Sequence, residues 1–117
     1  GNHPEDLCKL IEPVKQHIDL IHVSSGGVVE NAVINMCEGY QVAFAATIRK
    51  YLQLPAMAVG MLESPEYAEN VLQDGHADFI AIGRELLRNP YWPLQAAQTL
   101  GADVDWPEQY QRAKPTT

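Results

Sequence analysis

The stretch PAMAVGMLESPEYAENVLQDGHADFIAIGR, residues 55–84, decides the fold class. Two short apolar runs, 55–60 and 79–82, frame a segment that reads as a helix. Ser64 supplies an N-cap, Pro65 sits at the first helical position, Ala68, Val71 and Leu72 form an apolar stripe, and Gly75 closes the helix. Strands that alternate with helices imply parallel pairing and burial on both faces, and the nearly continuous apolar runs agree with that.

The alternation continues on either side. Residues 18–23, IDLIHV, are strand-like and stop at Ser24-Ser25-Gly26-Gly27. After a looser segment, a helix spans about residues 40–52, with Phe44, Ile48, Tyr51 and Leu52 on one side. Ahead of it, residues 4–17 carry Leu7, Leu10, Ile11 and Val14 at helical spacing, and Pro13 is placed to kink or shorten that helix. Asn89-Pro90 opens a last helix whose Leu94, Ala97 and Leu100 face one way, with Gly101 just past its end. The order is a helix, then strand and helix three times, over residues 1–101. A tail, 102–117, lies outside the repeat.

At 117 residues the chain suffices for one domain. Its 46% hydrophobic and 20% charged content is that of an ordinary globular protein. Fifteen acidic against eight basic side chains give a net charge of -7, which disfavours nucleic acid and anionic lipid as partners. No apolar run approaches the roughly 20 residues that cross a bilayer. The polar start has no basic segment followed by an apolar one, so a cytoplasmic location is expected. Cys8 and Cys37 lack the paired spacing of a zinc or redox site and read as two reduced thiols; no metal is expected.

In α/β folds ligands bind at the carboxyl ends of the strands. Here those ends read SSGG, VGML and IGRE. Gly60 and the Gly83-Arg84 pair offer what a phosphate prefers: backbone donors near helix starts and a permanently charged fork. The other reading is that each glycine only permits a tight turn and that Arg84 pairs with Glu85 or solvent. His22 points away from Val23 and reads as a hydrogen-bonded interior or interface histidine. Ser24 and Ser25 either cap a turn or touch a ligand, and no histidine or acid is placed to activate them as nucleophiles. Tyr91 and Trp92 read as packing residues, and Glu63, Glu66 and Glu69 as a solvated helix face.

At VSSGG, GYQVAFA, AVGML and FIAIGRELLRNPYWP the sequence resembles the carboxyl-terminal part of the old yellow enzyme family, within it the bacterial FMN-dependent NADPH dehydrogenases or ene reductases. The likeness runs from about residue 18 to 112. It implies an eight-stranded TIM (β/α)8 barrel of which these strands are the last three, and such barrels commonly bind phosphate after the last two strands. By resemblance, Gly60, Gly83 and Arg84 hold the FMN phosphate, and Ser25 with Gly26 lies along the ribityl side. The ending QYQR is similar to a QYER-like ending whose arginine reaches into a neighbouring subunit's active site. Arg112 is the matching position, and a homo-oligomer is implied.

The sequence also departs from the family's pattern. AKPTT stands where the class usually has an aromatic residue, and Cys37-Glu38 where relatives often carry an aromatic residue and proline. Pro13 interrupts a helix that relatives fill with alanine and lysine. The family's flavin-contacting cysteine, substrate-binding histidine pair and tyrosine proton donor belong to segments ahead of this one.

The implied reaction carries hydride from NADPH or NADH through FMN to activated alkenes of the enone type. The piece alone is expected to be inactive, and to dimerise or rearrange into an open, flavodoxin-like sheet. Two alternatives stand beside this: a barrel segment that binds the phosphate of a phosphorylated metabolite, and a cofactor-free α/β interaction module. A receiver-like module would want an acidic cluster at the strand ends, where this chain has serine, methionine and arginine.

Overall fold

The computed structural model describes residues 3–25 and 37–116. The chain divides into two compact units, one ending at Ile82 and the other running from Gly83 to the end.

In the first unit, α1 (Pro4–Ile11) starts where the Asp6 carboxylate accepts the His3 backbone N–H at 3.2 Å, with Glu5 and Asp6 near the positive end of the helix. Pro13 cannot donate to the α-helical ladder, and the chain tightens into a 3-10 helix over Glu12–His17, so the expected shortening is present. Then come β1 (Ile21–Val23), α2 (Val42–Leu52), β2 (Ala56–Val59), α3 (Pro65–Gln73) and β3 (Phe79–Ala81). The strands form one parallel sheet in the order β1-β2-β3, with Val23 opposite Ala58 and Val59 opposite Ala81.

Strand alternation and this register put Val23, Ala58 and Ile80 on one face, and His22, Met57 and Phe79 on the other. The first face carries the core, in which Val23 and Ala58 join Cys8 of α1, Val42, Ala45, Ile48 and Leu52 of α2, and Val71 of α3. Burial on both faces does not hold within this unit. His22 is exposed and Phe79 keeps 51% of its surface, so within this unit His22 is not interior, and of the two readings the interface one stands.

The buried stripe of α2 also differs from expectation. It is Val42, Ala45, Ile48 and Leu52, while Phe44 and Tyr51 are exposed. Ala45, Ala56 and Ala58 are all fully buried, so helix and sheet meet through side chains too small to leave room for an aromatic ring between them. In α1 the buried residue is Cys8, and Leu7 and Leu10 are exposed, as is Val14 in the 3-10 helix that follows.

Ser64 caps α3 as expected, its Oγ accepting the Tyr67 N–H at 3.2 Å. Gly75 closes the helix through a paired C-terminal motif, Gly75 N–H to Leu72 O and His76 N–H to Val71 O, each at 3.1 Å. Ser64→Ala is expected to cost about 1 kcal/mol, read as a lower midpoint in chemical denaturation with an unchanged slope.

The amino edge of the sheet is tied by Asp78. Its Oδ2 accepts the Ala56 N–H at 3.0 Å and the Arg49 Nε–H at 2.8 Å, and its Oδ1 accepts Arg49 Nη2 at 3.1 Å; Arg49 Nη1 donates to Gly75 O at 2.7 Å. The hydrogen bond from Arg49, and after it that from Ala56, holds the Asp78 carboxyl below its ordinary range. A lowered folded-state value stabilises the fold above the unfolded-state pKa of about 4, and that contribution disappears as pH falls through the folded value. Thermal melts of wild type and Asp78→Asn should therefore differ most near neutrality and converge in acid below about pH 4. A gap that persists unchanged in acid would contradict this.

The second unit holds α4 (Arg84–Arg88), α5 (Trp92–Thr99) and a 3-10 turn over Glu108–Ala113. The short α4 was not anticipated. The last helix starts at Trp92 rather than at Asn89-Pro90, because Asn89 caps the turn ahead of it by accepting the Tyr91 N–H at 3.2 Å. Its buried residue is Ala96, not Leu94, Ala97 or Leu100. Among the described residues, no helix is long and apolar enough to cross a membrane.

Candidate functional site

Parallel strands end along one edge, and in the first unit that edge gathers Ser25 after β1 and Gly60 after β2. Ser24 and Ser25 are exposed there. Gly26 lies outside the described residues. Gly60 is buried with φ +122°, and Met61 follows with φ +51°, two successive residues in a region that L side chains rarely enter. Strain of this kind gathers where a backbone is held for a purpose.

The segment Gly39-Tyr40-Gln41 holds this edge. Gly39 N–H donates to Gly60 O at 3.0 Å, and the Tyr40 ring lies 2.9 Å from where a Cβ on Gly60 would stand. The Gln41 side chain is buried at 3% exposure, and its Oε1 accepts the Ser25 N–H. Gly39 is itself pinned, since an added Cβ would stand 2.7 Å from a ring carbon of Tyr67 on α3. The fold therefore has its own reason for a glycine at 60.

Gly83 is different. It is the exposed N-cap of α4, and among the described residues no atom lies within 4 Å of where its Cβ would stand. Packing among the described residues supplies no reason for a glycine, and its φ of -100° and ψ of -92° mark the turn into α4. Arg84 follows as the first, exposed residue of α4. The Glu85 carboxylate is engaged by Arg88, whose Nε donates to it at 3.0 Å. A helix starts directly after the third strand end, whereas after β2 it starts at Pro65, five residues beyond Gly60.

Arg112 is exposed on the 3-10 turn of the second unit, and that turn is fastened on both sides. Tyr110 packs edge-on against Tyr91 with centroids 5.9 Å apart. Gln111 Nε2 donates to Trp106 O at 2.5 Å, and Lys114 Nζ reaches Asp103 at 2.5 Å and Val104 O at 2.9 Å. Where the family class usually has an aromatic residue behind the arginine, this chain has Lys114, which anchors the turn by charge.

Gln41 and Gly39, both within the GYQVAFA stretch, carry little local sign of this role in the sequence. The signal available was a glutamine at the start of an apolar helix, a position whose burial only the tertiary fold reveals.

Residues 7–103 match the sequence pattern of the NADH:flavin oxidoreductase / NADH oxidase family. The chain belongs to this family. Among its relatives is an NADPH dehydrogenase of Geobacillus thermodenitrificans, 51% identical over 116 residues that cover 94% of this chain and 34% of that protein. An NADPH dehydrogenase of Bacillus licheniformis is 52% identical over 99 residues, 85% of this chain and 29% of the relative. One of Clostridium acetobutylicum is 41% identical over 113 residues, 97% of this chain and 33% of the relative. This member of the NADH:flavin oxidoreductase family thus spans about a third of the length of the curated relatives it matches. As a family member it carries an oxidoreductase sequence, and the family's description couples NADH to a flavin.

Proposed function

We propose that this chain is the carboxyl-terminal, FMN-phosphate-holding segment of an NAD(P)H-dependent flavin oxidoreductase of the ene reductase type, with β1, β2 and β3 as the last three strands of a (β/α)8 barrel. The observation that carries the reading is the open backbone at Gly83 followed at once by Arg84, in a chain whose relatives are NADPH dehydrogenases. Backbone amides and a guanidinium suit a phosphate, because both donate and neither offers a competing lone pair.

The roles follow residue by residue. Gly83 leaves room at the backbone, and Arg84 neutralises and orients the phosphate through its planar fork. Gly60 offers a backbone held in one conformation, and Ser25 with Gly26 attends the ribityl side. The chemistry that a bound FMN supplies is relay of hydride from NAD(P)H to an activated alkene. The chain's own residues contribute position, since an anchored phosphate fixes where the far end of the cofactor lies. The tail from residue 102 presents Arg112 to a neighbouring subunit of a homo-oligomer.

The test is a chimera in which this chain replaces the matching third of the Geobacillus thermodenitrificans relative. It should purify yellow, retain FMN through gel filtration and oxidise NADPH in the presence of an enone. A colourless, folded chimera would remove the proposal. The 117-residue chain by itself should show no enone turnover, and light scattering should find it self-associated; turnover by the pure chain would overturn the first expectation and a monomer at high concentration the second.

A further inference from the structure

We infer that Gln41 is a positioning residue for the ligand edge: its buried carboxamide, seated beside Gly60 at the end of β2, holds the end of β1 and occupies the Ser25 amide. The end of β1 then meets a ligand through the Ser25 hydroxyl and carbonyl and takes a hydroxylated group there, not an anion. This rests on the flavin reading and deepens it, because it divides the edge between the phosphate and the polyol chain of the cofactor.

The first support is the place where the strand ladder stops. Val23 pairs with Ala58, so two residues further on Ser25 stands level with Gly60, but β1 has ended at Val23 and β2 ends at Val59. A backbone N–H left unpaired beside a core is costly. Here the Gln41 Oε1 accepts the Ser25 N–H in place of a partner strand.

The second support is at Gly60. The Gln41 Nε2 lies 3.3 Å from where a Cβ on Gly60 would stand, next to the Tyr40 ring, and Gly39 N–H holds the Gly60 carbonyl. Gly39 and Tyr40 therefore hold the end of β2, while the Gln41 side chain holds the end of β1 and lies beside Gly60. It is the buried polar side chain of the core among the described residues. Among those residues no buried side-chain nitrogen or oxygen lacks a hydrogen-bond partner, and the Gln41 Oε1 has the Ser25 N–H as its own.

The chemical consequence follows from counting donors. A backbone amide has one hydrogen, and that of Ser25 is taken. What Ser25 retains is a carbonyl, which accepts, and an exposed hydroxyl, which donates and accepts. A carbonyl repels a phosphate and welcomes a hydroxyl.

Two measurements decide this. In the chain itself, amide hydrogen exchange read by NMR should find Ser25 protected. Gln41→Leu should speed its exchange by at least about tenfold while the β2 amides keep theirs, and Gln41→Glu, which keeps an acceptor, should restore protection. An unprotected Ser25 in the wild type, an unchanged rate in Gln41→Leu, or loss of protection throughout β2 would overturn the inference.

In the chimera, Gln41→Leu should weaken FMN and riboflavin by the same factor, about tenfold, because the defect lies on the part that both ligands share. Loss of FMN affinity with riboflavin unaffected would place the effect on the phosphate and sink the division of labour. If the unsubstituted chimera binds neither flavin, the function proposed above fails, and exchange at Ser25 then decides the positioning role by itself.

Discussion

Arg84→Ala in the chimera is expected to weaken FMN binding by about 10- to 100-fold, since hydrogen bonds to a charged group contribute about 1.5–3 kcal/mol and each 1.4 kcal/mol is tenfold. Riboflavin, which lacks the phosphate, should bind Arg84→Ala and the unsubstituted chimera alike. Arg84→Lys should fall between, because a lysine keeps the charge but not the planar fork. The selectivity is the informative quantity. Equal loss of both flavins in Arg84→Ala would show that Arg84 does not act on the phosphate, and loss of neither would show that the phosphate is held elsewhere. Gly83→Ala belongs in the same series: nothing crowds its Cβ position, so stability should change by less than about 1 kcal/mol, while FMN affinity falls if the phosphate needs that space.

Gly60→Ala is the second large effect and of the opposite kind. At φ +122° an L residue is strained, and its Cβ would stand 2.9 Å and 3.1 Å from two carbons of the Tyr40 ring. Strain of about 1–3 kcal/mol adds to the displacement of a packed ring. For a domain of this size each kcal/mol shifts the melting temperature by about 4–8 °C, so a drop of at least about 10 °C is expected. Calorimetry on the chain measures it without any cofactor. A melting temperature within about 2 °C of wild type would mean that Gly60 adopts another conformation in solution.

Together the two glycines illustrate how far a sequence can be read. Both end a short apolar run, and both suggest room for a ligand; only the tertiary fold separates Gly60, crowded by Tyr40, from Gly83, which faces open space. What was legible was local. The Ser64 cap, the Gly75 closure and the shortening at Pro13 each depend on residues within a turn or two of one another, and the parallel pairing follows from the alternation of short strands and helices along the chain.

What was not legible depends on partners far along the chain. On α2 the expected Ile48 and Leu52 are buried but Phe44 and Tyr51 are not, because large apolar residues outweigh alanine in a periodicity, although Ala45 is what lets the helix approach Ala56 and Ala58. Arg49 and Asp78 are 29 positions apart, and Gln41 and Ser25 are 16 apart, so neither pairing leaves a trace in the spacing of either residue. The family likeness points to the same strand ends as the physics of those ends, but it is silent on the Gln41 carboxamide that holds the end of β1.

The two thiols of the chain have unlike surroundings, and this gives the molecule a chemical stopwatch. Cys37 is exposed one turn ahead of Gly39, whereas Cys8 is wholly enclosed, and its thiol is pushed up first by burial and then by the nearby Glu5 and Glu12. An alkylating reagent should mark Cys37 at once and Cys8 only during excursions in which α1 lifts from α2. The lag between the two adducts, followed by mass spectrometry, times the breathing of that helix pair without any engineered label.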